Sequence, residues 1–186
     1  FYGGTEGRIG QRLGFHAMIS VSKIEGMPYF VNDTSLVLKN RFSVVLDEET
    51  NIFAVKAGLS FQHSQKWQSL AEVNFAQYSP SEGTAWHVPG LTGSLALRYS
   101  LREKIILEAE AYAEGTRKAQ AFNAIGEDME IEMKGFIDAG LGIEYRYSKV
   151  LSAFLQFNNM LGKDYQQWYG YPVQGFRAMA GFSYSF

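Results

Sequence analysis

Glu108, Glu110 and Glu114 stand at even spacing in "KIILEAEAYAEG". A strand puts all of these carboxylates on one side, because successive side chains point to opposite faces. Grouped carboxylates can exchange protons, hold a cation or bind a hydroxyl-rich ligand. Lys56, Glu72, Arg98, Asp138, Glu144, Arg146 and Arg177 occupy matching alternate positions in other segments. Both signs are present. The plain expectation is a solvated wall laced with cross-strand ion pairs, each worth a few tenths of a kcal/mol. The sharper expectation is that the acidic segment lines a contact with a substrate.

Other reactive residue types are sparse. The 186 residues include no cysteine, which excludes disulfide scaffolds, thiol catalysis and Cys-bound metals. His16, His63 and His87 show no metal-ligand spacing. No serine elbow is present, and the acidic residues lack a supporting acid–base partner. The expectation is a protein that is not an enzyme and needs no metal or cofactor. A net charge of −2 gives no basic footprint for nucleic acid. The segment "KDYQQWYGYPVQG" gathers Tyr165, Trp168, Tyr169 and Tyr171, and "AWHVPG" adds Trp86 and His87. Aromatic rings and amides in loops suit capture of a ligand by stacking and hydrogen bonds. Packing onto a neighbouring loop or a partner protein is the equal alternative.

The elements that must position these residues follow a period of two. In "GFIDAGLGIEYRYS" one face carries Ile137, Ala139, Leu141, Ile143, Tyr145 and Tyr147, and only the other carries charge. The same split recurs through Phe53–Phe61, Leu91–Leu101 and Ile105–Ala113. A 15% aromatic content, with 19 Gly and only 4 Pro, also favours strands. The pattern predicts nine strands, near 1–9, 12–23, 51–63, 67–79, 91–101, 104–116, 134–147, 150–160 and 175–186. Most exceed the usual globular strand of about 5–6 residues and suit a tilted crossing of about 9–11 residues. Links near 10–12, 63–66, 101–104 and 147–149 are tight, whereas 24–50, 80–90, 117–133 and 161–174 are long. Short and long links alternate, as in an up-and-down barrel spanning an outer membrane. Within 24–50, "RFSVVLDEETNIF" is either a separate short hairpin or an upward extension of the strand that follows.

Alternation alone is symmetric between a soluble barrel and a membrane barrel. Strand length, sorted loops and the terminal strand "GFRAMAGFSYSF" favour the membrane barrel. In that arrangement Phe182, Tyr184 and Phe186 meet lipid, and Trp67, Tyr99, Tyr147 and Tyr184 fit interfacial girdles. The charged residues named above would line the lumen. Phe1 lies inside the first expected strand, and no signal peptide is visible in "FYGGTEGRIG".

The stretch "FNNMLGKDYQQWYGYPVQGFRAMAGFSYSF" resembles the end of a TonB-dependent receptor. It has Asn158 and Asn159 at a strand end, Tyr165 beyond them, a "GYP" turn at 170–172 and a Gly-aromatic final strand ending in Phe. "MPYFVNDT" and "AWHVPG" are similar to loop segments of such receptors from Bacteroidota. The resemblance implies a 22-stranded outer-membrane barrel with an N-terminal plug and an energy-coupling box, neither of which is seen here. It implies gated uptake of a metal chelate or an oligosaccharide. It also implies contacts with outer-membrane lipids, with TonB through the missing N-terminal part, and with a surface lipoprotein. Phe182, Tyr184 and Phe186 would be the signal read by the barrel-assembly machinery, and the acidic Glu108, Glu110 and Glu114 would contact substrate or plug. The chain is expected to be one barrel segment over 1–186, of about 8–10 strands. The alternatives are a small stand-alone barrel with a structural or adhesive role and a soluble barrel binding a lipophilic ligand.

Overall fold

In the computed structural model, residues 1–32, 42–122 and 128–185 are described. The strands are β1 (Tyr2–Ile9), β2 (Leu13–Asn32), β3 (Phe42–Gln62), β4 (Trp67–Pro80), β5 (Leu91–Leu101), β6 (Ile105–Glu114), β7 (Arg117–Phe122), β8 (Asp128–Met133), β9 (Phe136–Arg146), β10 (Leu151–Asn158), β11 (Gln166–Trp168), β12 (Tyr171–Pro172) and β13 (Arg177–Tyr184). Nine of them form one antiparallel sheet in the order β1-β2-β3-β4-β5-β6-β9-β10-β13. β7 pairs with β8, and β11 with β12, as separate hairpins at the long-loop end. The large sheet does not close on itself: β1 and β13 are its edges.

The register turns the sequence alternation into two chemically distinct faces. Ala57 pairs with Val73, Val73 with Gly93, Gly93 with Ala113 and Ala113 with Ile137, so apolar residues lie in rows across strands. A one-residue slip in any pair would carry a strand's whole apolar set to the other face. The rows that contain Glu72, Arg98, Glu108, Glu110, Asp138, Glu144 and Arg177 lie on the opposite face throughout. The apolar side stays open. Ile137 is 52% exposed, Leu59 53% and Phe182 80%. An apolar surface spanning nine strands far exceeds the few hundred Å² tolerated on a soluble monomer.

The nine expected strands are present, and the tight links fall at the expected places. β2 and β3 run about nine residues further than the alternation indicated, pairing from Leu13↔Phe61 up to Asn32↔Phe42. Thus "RFSVVLDEETNIF" is the upward extension of the following strand, not a separate hairpin, although Arg41 itself lies outside the described residues. Gly26 has a φ of 68° and is skipped by the ladder, which marks a bend between the wall and its extension. The 117–133 link is corrected too. It contains the β7–β8 hairpin, whose six-residue strands were too short to stand out from the loop composition. Phe186 lies outside the described residues.

Candidate functional site

The long-loop end draws together segments that are distant in sequence. Tyr165, from the loop between β10 and β13, reaches onto the charged face of β9. Its hydroxyl donates a 2.6 Å hydrogen bond to Asp138 Oδ2. Its ring stacks on Phe136 at 3.8 Å between centroids and 11° between planes, and Tyr112 lies beside Phe136. The 159–176 loop therefore folds over the charged face and leaves the apolar face bare. Burial and the hydrogen bond to Asp138 push the Tyr165 phenol up to about 12.

Arg117 anchors the next layer. Its side chain is fully buried. It pairs with Glu114, lies 5.5 Å from the centre of the Phe136 ring, and donates to the backbone oxygen of Gln166. Burying a guanidinium is costly unless it is paired and hydrogen-bonded; these partners come from three elements, while the Arg117 Nε–H has no hydrogen-bond partner among the described residues. Arg117 shares its face with buried Ala119 and Ala121, so the β7–β8 hairpin is a packed part of the cap.

His87 is the hub of the aromatic loops. Its ring lies 5.2 Å from Trp168 and 5.7 Å from Phe42. Phe42 in turn stacks on Tyr171 at 5.1 Å and meets Trp168 at 5.4 Å, and Phe30 meets Trp168 at 5.6 Å. The His87 backbone N–H donates to Lys118 at 2.7 Å, and the adjacent Trp86 bridges to the same residue. Burial lowers the His87 pKa. The hydrogen bond to Phe30 opposes that shift and the charge of Arg117 adds to it. Trp168 and Tyr171 keep 37% and 38% of their surface open, so the cluster has a solvent-facing aromatic side.

A third cluster fixes the loop after β4. Asp47 Oδ2 accepts from the Thr50 hydroxyl at 2.5 Å and the Ser81 N–H at 3.2 Å. Its Oδ1 accepts from the Ser81 hydroxyl at 2.8 Å and the Glu82 N–H at 3.2 Å. Tyr29 closes the network through Thr50 at 3.1 Å. Asp47 and Thr50 meet although three apart, so strict alternation has lapsed at this bend.

The structure brings Trp86, His87, Tyr165, Trp168, Tyr169 and Tyr171 into one cap, from two loops that sequence reasoning assigned to the same side. The charged residues form no single centre. Arg98 pairs with Glu108 and Arg146 with Glu144, whereas Glu110 lies over Gly140 and Arg177 donates to Gln174. Lys56 pairs across to Met18 and Asn74, and Glu72 to Gly58 and Ser94. Phe182 and Tyr184 are exposed on the apolar face. No group of three or more His, Asp or Glu suited to a metal occurs among the described residues. Arg117, Phe136, Asp47, Phe30 and Phe42 were missed. The alternation Arg117-Ala119-Ala121 was a weak signal for the first, and nothing local marked Asp47.

No family model matches the chain, and no curated protein matches it. Solved structures do. The pyoverdine outer membrane receptor FpvA of Pseudomonas aeruginosa superposes with a TM-score of 0.71 over 96% of this chain, at 15% identity. The chain has the fold of an outer-membrane receptor barrel wall. The copper transporter OprC gives a TM-score of 0.73 over 98% of this chain at 18% identity. The FrpB iron transporter of Neisseria meningitidis gives 0.71 over 97% at 14% identity. This chain spans 28%, 30% and 30% of those three proteins respectively, so its receptor-barrel fold corresponds to less than a third of each.

Proposed function

We propose that these residues form the C-terminal section of the barrel of a TonB-dependent receptor in the bacterial outer membrane. The receptor takes up a large nutrient, a metal chelate or an oligosaccharide, in a gated and energy-coupled step. This section supplies wall, external loops and the terminal strand read during barrel assembly. The gate and the TonB contact belong to other parts of the protein. The observation that carries the reading is the two-faced, nine-stranded sheet, whose bare apolar face needs lipid and whose long loops fold over the charged face. The open edges at β1 and β13 also support it. Unpaired backbone groups have no partner in hydrocarbon, so further strands must complete the wall. That argument weighs against a stand-alone barrel of these strands.

In this reading the wall works by binding, without covalent chemistry. Trp168, Tyr171 and Phe30 offer ring faces to an incoming ligand at the outer surface. Below them Glu110, Tyr112, Asp138, Asn158 and Gln167 border a hollow on the charged face. A ligand displaced from the rings would meet these hydrogen-bonding groups next. The test is to express the intact protein in an outer-membrane host. Outer-membrane fractionation with heat-modifiable gel mobility is expected, together with accumulation of labelled ferric chelate or oligosaccharide that requires TonB. Recovery of the protein in the soluble fraction without detergent would defeat the reading.

A further inference from the structure

His87 hydrogen-bonds across three segments: the loop between β4 and β5 that carries it, the extension of β2, and the loop between β10 and β13. Its Nδ1–H donates to the carbonyl oxygen of Phe30 at 2.8 Å, because a carbonyl can only accept. Its Nε2 accepts from the Tyr169 N–H at 3.3 Å. Only the neutral ring with its hydrogen on Nδ1 satisfies both bonds at once. The ring is 6% exposed and edged by Phe42 and Trp168.

The charged surroundings all oppose protonation or are already paired. From β7, the Arg117 guanidinium faces the ring's neighbourhood and adds positive potential. Its partner Glu114 is committed to it. Lys118 presents its backbone oxygen to the His87 N–H, while its ammonium turns to Glu130 at 2.7 Å. From β2 the facing groups are the Phe30 carbonyl and the neutral Asn32, whose side-chain amide donates to the Tyr169 oxygen at 3.2 Å. β3 contributes the Phe42 ring. The 159–176 loop contributes Trp168 and the Tyr169 backbone. No hydrogen bond or ion pair from a carboxylate to the ring is found among the described residues.

We propose that His87 is a pH-sensitive latch: neutral, it ties the 159–176 loop to β2, and protonated, it lets that loop go. A proton on Nε2 would set one donor against another at Tyr169 and bury a second cation near Arg117. The closed cap thus favours neutral His87. Its stabilisation is full above the ordinary His pKa of about 6.5 and falls away as pH drops below that value. Opening would uncover Trp168, the Tyr169 backbone and Arg117 beneath Gln166, changing the outer surface that a ligand meets. The latch rests on this geometry alone and stands whether or not the uptake reading does.

The test is hydrogen–deuterium exchange by mass spectrometry on the intact protein in detergent, corrected for intrinsic exchange rates, at pH 7.5 and 5.0. Peptides covering Tyr165–Tyr171 are expected to lose protection about tenfold on acidification, while β5 and β6 stay protected, as a linked histidine titration requires. His87→Gln keeps an acceptor without a titrating ring, and is expected to make protection of this loop independent of pH. Imidazole C2 exchange, which needs no variant, is expected to place His87 below the ordinary histidine value. Equal loop protection at both pH values, an acid response that survives in His87→Gln, or a His87 that titrates at or above 6.5 would each overturn the latch.

Discussion

Tyr165 and Asp138 lie 27 residues apart, yet the phenol hydrogen-bonds one carboxylate oxygen at 2.6 Å while the other has no partner within the described structure. This bond is one of several ties that hold a long loop to the barrel wall. Removing the hydroxyl in Tyr165→Phe keeps the ring stacked on Phe136 but strips Asp138 of its donor. Leaving such a group unsatisfied costs about 1–3 kcal/mol. Exchange of amides in 163–168 is expected to rise in Tyr165→Phe while the rest of β9 is unchanged.

The same phenol gives an alkaline signature. Its folded pKa is raised to about 12, above the ordinary value of about 10. The docked state therefore favours the neutral ring. Its contribution is complete below about pH 10 and is lost as pH rises toward the folded value. Burial also holds the Tyr29 phenol above the ordinary range, so an absorbance titration of tyrosinate is expected to show a late step that shrinks by one tyrosine in Tyr165→Phe. A late step of unchanged amplitude in the variant would assign the shift elsewhere.

The wall was legible in the sequence because lipid and lumen impose opposite chemistry at a period of two. Leu95, Leu97 and Tyr99 cannot trade places with Ser94 and Arg98 without moving charge into hydrocarbon. The cap was only half legible. Trp168 and Tyr171 advertised themselves by type and loop position. Their companions Phe30 and Phe42 sat in a stretch whose alternation lapses at Gly26, where a left-handed backbone bends β2. Asp47 was invisible, and Arg117 only weakly marked, for a different reason. Each is a charged residue whose role comes from partners across the fold, and no local spacing encodes those contacts. The β7–β8 hairpin hid because strands of six residues carry too few alternations to separate from a polar loop.

Asp47 supplies an acid-side prediction. Burial pushes its carboxyl up, but hydrogen bonds from Thr50, Ser81 and Glu82 outweigh that and hold it below the usual carboxylate range. The depressed value means the network stabilises above about pH 4 and fails as pH falls through the folded value. Asp47→Asn replaces an acceptor with a donor that faces existing donors, at a cost of about 1–3 kcal/mol. The Glu82 amide is expected to lose protection in the variant at pH 7, and in the parent only under acid, whereas the Ser81 amide, which also donates to the Glu49 carbonyl at 2.8 Å, is expected to stay protected.

A pair of neighbouring substitutions tests which face meets lipid. Leu95 and Ser94 adjoin on β5 but point to opposite sides. Leu95→Arg would place a cation against hydrocarbon and is expected to cost about 2–4 kcal/mol near the bilayer midplane. Ser94→Arg would point toward Tyr112 and Glu72, on the side that already carries charge, and is expected to cost under about 1 kcal/mol. Urea unfolding of the intact protein in phospholipid vesicles measures both. Equal losses would show that the apolar side does not touch lipid.

Gly181 and Phe154 offer a test of the final strand's register. They are directly opposed across β10 and β13, and a Cβ placed on Gly181 would stand 2.6 Å from the Phe154 ring. The ring lies across the glycine, using space that no other residue leaves open. Gly181→Val must evict that ring or spread the strands, and overpacking of this kind costs about 1–3 kcal/mol. Phe154→Ala alone loses the ring's packing. Combined, the two changes refill the space, since the valine occupies what the ring vacates. The double variant is therefore expected to be more stable than the sum of the single losses by about 0.5–3 kcal/mol, the range for residues in direct contact. Strict additivity in urea unfolding would mean that β13 does not pair with β10 in this register, and the terminal aromatic residues would then not share the apolar face.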